Sequence, residues 1–202
     1  MFWQEFYADW GAYLYFNPRF ALIPWGSTLW TTPNKPWYTI TAYGWFYSAA
    51  LPGMVKLFTS VRRRRPEWSY TLVMTLTVLL PFYLWNLTSA DSTAFFTYYF
   101  HYLYVIGPAM HTSRGSLPLL YPAFPFSLFA PFVVWSIDNR DSKGRTWYER
   151  WFGSEPQPKD ALGQIRQVLA WCVGMNIMYA CCLTVPLVTV RVWFLPESTV
   201  IP

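Results

Sequence analysis

Four stretches of this chain, residues 38–58, 70–87, 117–137 and 168–190, are apolar and carry a single formal charge between them, Lys56. Runs of about 18 or more such residues match the length of a helix that crosses a bilayer. Lys56 lies one turn from an end, where its stem can snorkel. The chain as a whole has 54% hydrophobic and 12% charged residues among 202, against about 25% charged in an ordinary soluble domain. The sequence therefore predicts one all-α integral membrane domain, a bundle of about four transmembrane helices with aromatic-rich outer segments. A fifth span over 94–110 is the alternative, since that stretch is also uncharged.

Orientation follows from the basic residues. Arg62 to Arg65 sit directly after the first span, and guanidinium groups stay on the side of synthesis. With four spans, Lys56, Arg62 to Arg65, Arg140, Lys143, Arg145, Arg150, Lys159 and Arg166 lie inside, eleven in all, against Arg19, Lys35, Arg114 and Arg191 outside. With 94–110 as a fifth span the balance reverses to six inside and nine outside. The positive-inside rule thus predicts four spans with both termini outside. Residues 138–166 become a cytoplasmic loop. Residues 1–36 and 88–116 become outer segments, with Trp3, Trp10, Trp25 and Trp30 at the interface, and Asn17-Pro18-Arg19 argues against a span near the N-terminus.

Prolines 118, 122, 125 and 131 predict a broken or late-starting third helix, and Pro81 frees the carbonyl of Thr77 in the second. Asn86 and Asn176 are polar residues suited to bonding across helices. The three cysteines fall in the last span, where thiols pack as small hydrophobes, and no metal-type spacing accompanies them.

Residues with chemical potential are few. Asp91, at a span end, is the best-placed carboxylate; with His101 and the phenols of Tyr98 and Tyr102 it forms a candidate acid–base set. Ser89-Ala90-Asp91-Ser92 also reads as the N-cap of a helix starting near Thr93. His101 is the one candidate for ligating a pigment; no cofactor or metal is otherwise indicated. Phosphate loops, dinucleotide fingerprints and nucleic-acid motifs do not occur.

Three places carry a family resemblance. Tyr43-Gly44-Trp45-Phe46-Tyr47 opens a span that runs into Arg62-Arg63-Arg64-Arg65-Pro66; Arg140-Asp141-Ser142-Lys143-Gly144-Arg145-Thr146-Trp147-Tyr148-Glu149-Arg150 follows the third span; and Gln164-Ile165-Arg166 leads through Gly174-Met175-Asn176 into the last. Over about residues 38–190 the chain resembles the AveC-like spirocyclase proteins of actinobacteria. That resemblance implies a membrane protein near polyketide or lipid pathways, and spiroketal formation or dehydration as the family chemistry. It also implies a structural role for Arg140, Asp141, Gly144, Arg145 and Glu149 as a charged cytoplasmic turn. The family carries acids in its second and third spans, where this chain has Trp85, Asn86 and Leu87, and Phe126, Ser127 and Leu128. The expectation is then a non-catalytic accessory subunit whose spans hold no acid, partnered by membrane lipids, other membrane subunits or further copies of itself, and able to bind a lipophilic small molecule. A spirocyclase or dehydratase acting on a lipophilic hydroxyketone is the alternative.

Overall fold

A computed structural model describes residues 2–24, 35–113 and 115–198; the side chains of residues 2, 42, 43, 45–47, 89–91 and 94 lie outside the described set. Trp25, Trp30 and Arg114 therefore also lie outside it, as do most side chains of the Tyr43 to Tyr47 motif.

The chain is mostly helical. Helix α1 is Phe2–Gly11 and strand β1 Leu14–Phe16. Helix α2 covers 38–64, as Tyr38–Trp45, a wide π turn at Phe46–Ala50, and Leu51–Arg64. Helix α3 covers 70–96, again with π turns, at Thr75–Leu79 and Asn86–Asp91. Strands β2 (Phe100–Tyr102), β3 (Ala109–Thr112) and β4 (Gly115–Pro118) follow. Helix α4 is Ala123–Asp138, α5 is Trp147–Trp151, and α6 is Ala161–Phe194 with a π turn at Ala180–Thr184.

Two of these helices are long and apolar enough to cross a membrane: Tyr70–Thr88 within α3, and α6. Only 33% of the apolar window of each is buried inside the protein, whereas the core helix of a soluble domain would be mostly covered. On α3, Leu72, Leu76, Leu80 and Leu84 repeat every four residues along one exposed stripe. The opposite face of α3, with Val73, Val78 and Phe82, packs into a core shared with Phe58, Phe129, Val133, Met178 and Leu187. Helix α4 sits centrally, in contact with α2, α3 and α6.

Prolines explain most of the irregular geometry. The π turns at Phe46–Ala50, Thr75–Leu79 and Ala180–Thr184 each end two residues before a proline, Pro52, Pro81 and Pro186. A proline has no N–H and its ring crowds the carbonyl four residues back, and a widened turn relieves both. That fourth residue back is Ser48, Thr77 and Cys182 in turn, and Ser127 for Pro131 in α4. Thr77 Oγ1 donates to the Val73 carbonyl at 2.7 Å and Ser127 Oγ to Ala123 at 2.8 Å. The turn at Asn86–Asp91 precedes no proline.

The outer segments differ from expectation in several respects. Residues 94–110 do not form a helix: α3 ends at Phe96, and β2 and the start of β3 follow, so the fifth-span alternative has no helix to carry it. Helix α3 runs unbroken through Ser89 to Ser92, so Asp91 sits inside a helix and not at an N-cap. The third apolar stretch begins its helix at Ala123, because Leu117 and Pro118 belong to the β3–β4 hairpin. The 138–166 segment holds α5 and the first turn of α6, capped by Asp160, which accepts from Gly163 N at 2.8 Å.

Two short sheets form one end of the molecule. Strand β1 pairs antiparallel with β2, Tyr15 opposite His101, and β3 pairs with β4. At the other end, Tyr70 lies within electrostatic reach of Asp138 and Asn139, so the 62–69 loop and the Gly144-Arg145-Thr146 turn share a side of the bundle.

Candidate functional site

Helix α1 is not a loose surface cap. It lies alongside the second half of α6, contacting both the π turn and Val185–Phe194. Small residues make this possible: Ala8 and Ala12 are buried, and a Cβ at Gly11 would come within 2.7 Å of the Leu187 backbone. Such close backbone approach is how helices pair where apolar burial gives little drive. Gln4 marks the deep end of the contact, donating to the Asn176 carbonyl at 2.9 Å and to its Oδ1 at 2.8 Å, while Thr184 Oγ1 donates to Gln4 Oε1 at 3.0 Å.

This packing brings ionisable groups inside. Glu5 and Asp9, one turn apart on α1, both face Lys35, which is 1% exposed. Lys35 Nζ donates to Asp9 Oδ2 and lies 3.4 Å from Glu5 Oε1; Tyr179 of α6 donates its phenol proton to Glu5 Oε2. The Phe16 ring covers the ammonium, with its centroid 4.9 Å away. Tyr38 and Phe16 meet edge to face at 6.4 Å. The four apolar stretches hold no acid, but α1 before them supplies two carboxylates to this cluster.

Charge decides what state this cluster holds. Two carboxylates and one ammonium would leave a net negative charge in a poorly solvated interior, which costs several kcal/mol. Retaining one proton on Asp9, the buried member of the pair, removes that charge. Burial pushes Asp9 above the ordinary carboxylate range, and Lys35 opposes the shift. The site thus offers a proton donor, a carboxylate acceptor, an ammonium and a phenol within one cluster.

Beyond Asp9 toward the C-terminal end of α6, Arg191 donates to the Trp10 carbonyl and stacks on the rings of Trp10 and Tyr13, at 3.8 and 4.0 Å. Tyr13, at a positive φ of 55°, donates to the Pro196 carbonyl. These contacts tie both chain ends together at the edge of the cluster.

The residues singled out by sequence do not gather in the same way. His101 is exposed on β2 and packs beside Tyr15 at 5.2 Å, whereas Tyr102, next in the strand, turns to the buried face. Tyr98 is exposed in a left-handed turn with φ of 60°. The Asp91 side chain lies outside the described residues. Partial desolvation of its ring lowers the His101 pKa, and His111 bonds Ser116 Oγ at 2.8 Å.

The Arg140 to Glu149 run forms a compact turn. Asp141 accepts from the backbone N–H groups of Lys143 and Arg145, both at 2.9 Å, and pairs with the Arg145 guanidinium at 2.9 Å. The Arg145 N–H foremost holds the Asp141 carboxyl below its usual range. Gly144 takes a φ of 76°, and Arg140 Nη1 donates to its carbonyl at 2.8 Å. Thr146 and Glu149 form a reciprocal capping box at the start of α5. Glu149 is buried and also accepts from Trp171 Nε1 at 3.1 Å and Gln167 Nε2 at 3.3 Å. Burial pushes its pKa up, but these donors outweigh it and hold the carboxyl below the ordinary value. Tyr148 beside it stacks edge-on with Trp171 and packs over Gly174, where a Cβ would fall 2.4 Å from the ring.

Comparison of the chain with protein-family models, with characterised proteins and with solved structures gives no match.

Proposed function

We propose that this chain is a four-span protein of a bacterial cytoplasmic membrane in which Glu5, Asp9, Lys35 and Tyr179 form an acid–base site for a lipophilic hydroxyketone. The reaction class is cyclisation or dehydration, the chemistry implied by the resemblance to AveC-like spirocyclases. One observation carries the reading: Asp9 and Lys35 are buried, with the half-buried Glu5 beside them, against a helix of a membrane-type bundle. Well-packed apolar groups would hold α1 at least as firmly, and ionisable groups at such depth point to function by default.

In this reading the carboxyl pair gives its proton to the departing hydroxyl of a hemiketal, which leaves as water. The resulting oxocarbenium is closed by the second hydroxyl, whose proton returns to the pair. Lys35 stabilises the carboxylate while it is bare, and Tyr179 orients Glu5. Support for four spans comes from the charge balance and from the two basic loops sharing one end. The test is product analysis of lipophilic extracts from cells expressing wild type, Glu5→Gln, Asp9→Asn and the double variant. Loss of a water-eliminated product in each variant, with protein still in the membrane, is expected; an unchanged extract in the double variant rules the reaction out.

A second reading is an accessory subunit in which the same cluster only clamps α1. It is favoured by the closed pairing of the four side chains with one another. Cofactors enter neither reading, and membrane lipids are partners in both. Copurification in mild detergent separates them, since the accessory reading requires an associated subunit or a second copy.

A further inference from the structure

The four consecutive arginines are divided by the helix into two pairs with different surroundings. Arg62 donates to the Trp68 carbonyl at 3.3 Å and covers the Tyr70 ring at 5.4 Å; Arg65 reaches Glu67 at 3.8 Å and lies over Trp68 at 5.8 Å. Both are engaged by their own loop. Arg63 and Arg64 are exposed and turn the other way, and among the described residues no carboxylate pairs with them or with Lys56.

Lys56, Thr59, Ser60, Arg63 and Arg64 stand at i, i+3, i+4, i+7 and i+8 and so share one helix face. With Val55 they line a groove of about 370 Å³. The cations are spread over about 12 Å of helix axis at 1.5 Å per residue, a distance their flexible stems can close onto one headgroup layer. Thr59 is bonded to the Val55 carbonyl at 2.8 Å, leaving the Ser60 hydroxyl to face the groove. Below Lys56 on the same face come Gly53, Pro52 and Ala49, all exposed, and a Cβ at Gly53 would meet nothing within 4 Å. Cations above a shallow apolar trough match one ligand shape, a charged head joined to a chain.

We infer that this groove binds an anionic glycerophospholipid, its phosphate held by Lys56, Arg63, Arg64 and Ser60 and an acyl chain lying along Gly53, Pro52 and Ala49. The inference rests on α2 crossing the membrane and is independent of the acid–base site. Native mass spectrometry of protein taken from bilayers of mixed phosphatidylglycerol and phosphatidylcholine tests it, comparing wild type, Lys56→Gln/Arg63→Gln/Arg64→Gln and the control Arg62→Gln/Arg65→Gln. Retained phosphatidylglycerol falls at least about tenfold in the triple variant, given roughly 1 kcal/mol per basic residue near an anionic surface, and stays near wild type in the control. Equal losses in both variants mean diffuse attraction and overturn the groove. No preference over phosphatidylcholine overturns it as well, and full displacement by millimolar inorganic phosphate would assign it to a free anion. Alkaline carbonate extraction distinguishes the premises: release of wild type from membranes breaks the spanning reading and the inference with it, whereas retention with lost lipid preference removes the groove alone.

Discussion

The two ends of the bundle each bury a carboxyl group, and they neutralise it by opposite means. Glu149 is ionised and held by neutral donors, the Thr146 backbone and hydroxyl, Gln167 and Trp171. Glu5 and Asp9 lean on a buried cation, Lys35, and on the Tyr179 phenol. The first arrangement is a finished hydrogen-bond network that gains nothing from exchanging protons. The second has one charge too many, and a proton must be held somewhere within it. A buried acid is thus a structural pin at one end and a titratable centre at the other, and the nature of its partners separates the two roles.

Removing the cation tests that contrast most severely. Lys35→Met leaves both acids without a counter-charge and is expected to lower stability by about 3–5 kcal/mol, read as thermal unfolding in detergent. Lys35→Met with Asp9→Leu should recover most of the loss; no recovery would mean that the pair is not coupled. Next comes Glu149→Ala, which strands the buried donors around it and should cost about 2–3 kcal/mol. Its pH signature has a definite sign. The folded pKa lies below the unfolded value of about 4.3, so the stabilisation is complete above that value and fades as pH falls through the folded one. Glu149→Gln should flatten this acid limb, and an unaltered limb would move the effect elsewhere.

Gly174→Ala sets a methyl group against the Tyr148 ring and should cost about 1–3 kcal/mol, seen as faster proteolysis near α5. Adding Tyr148→Leu should relieve it, since the ring is the obstacle. The smallest effect is expected of Thr146→Ala, about 1 kcal/mol from the lost cap. A loss as large as that of Glu149→Ala would show that the hydroxyl, and not the carboxylate, anchors the turn.

Local patterns were readable in the sequence and distant ones were not. Apolar lengths located the helices, and four prolines placed the late start of α4 near Ala123, because their effects act within a turn or two. The Arg140 to Glu149 turn was visible as a charged motif for the same reason: Asp141 with Arg145, and Thr146 with Glu149, are at most four residues apart. Glu5 and Asp9 are hard to read from sequence because they stand in a short aromatic segment with no span-like character, and their partners lie at Lys35 and Tyr179. One signal was available: Glu5, Ala8, Asp9 and Ala12 form an i, i+3, i+4, i+7 face that mixes acids with small residues, a surface made for close helix contact. Helix α3 ran past the apparent cap at Asp91 because helical residues on both sides kept the turn wound, merely widened.

The widened turns before Pro52, Pro81 and Pro186 have a consequence for phase. Each inserts nearly one residue beyond ordinary winding, and at roughly 100° per residue the segment past the proline presents a different azimuth from the one an unbroken spiral would give. Tyr179 precedes such a joint in α6, and Leu187 and Arg191 follow it, yet all three meet the α1–β1 region. An even spiral could not aim them together, so deleting one residue within Ala180–Thr184 would swing Arg191 off Trp10 while leaving Tyr179 on Glu5.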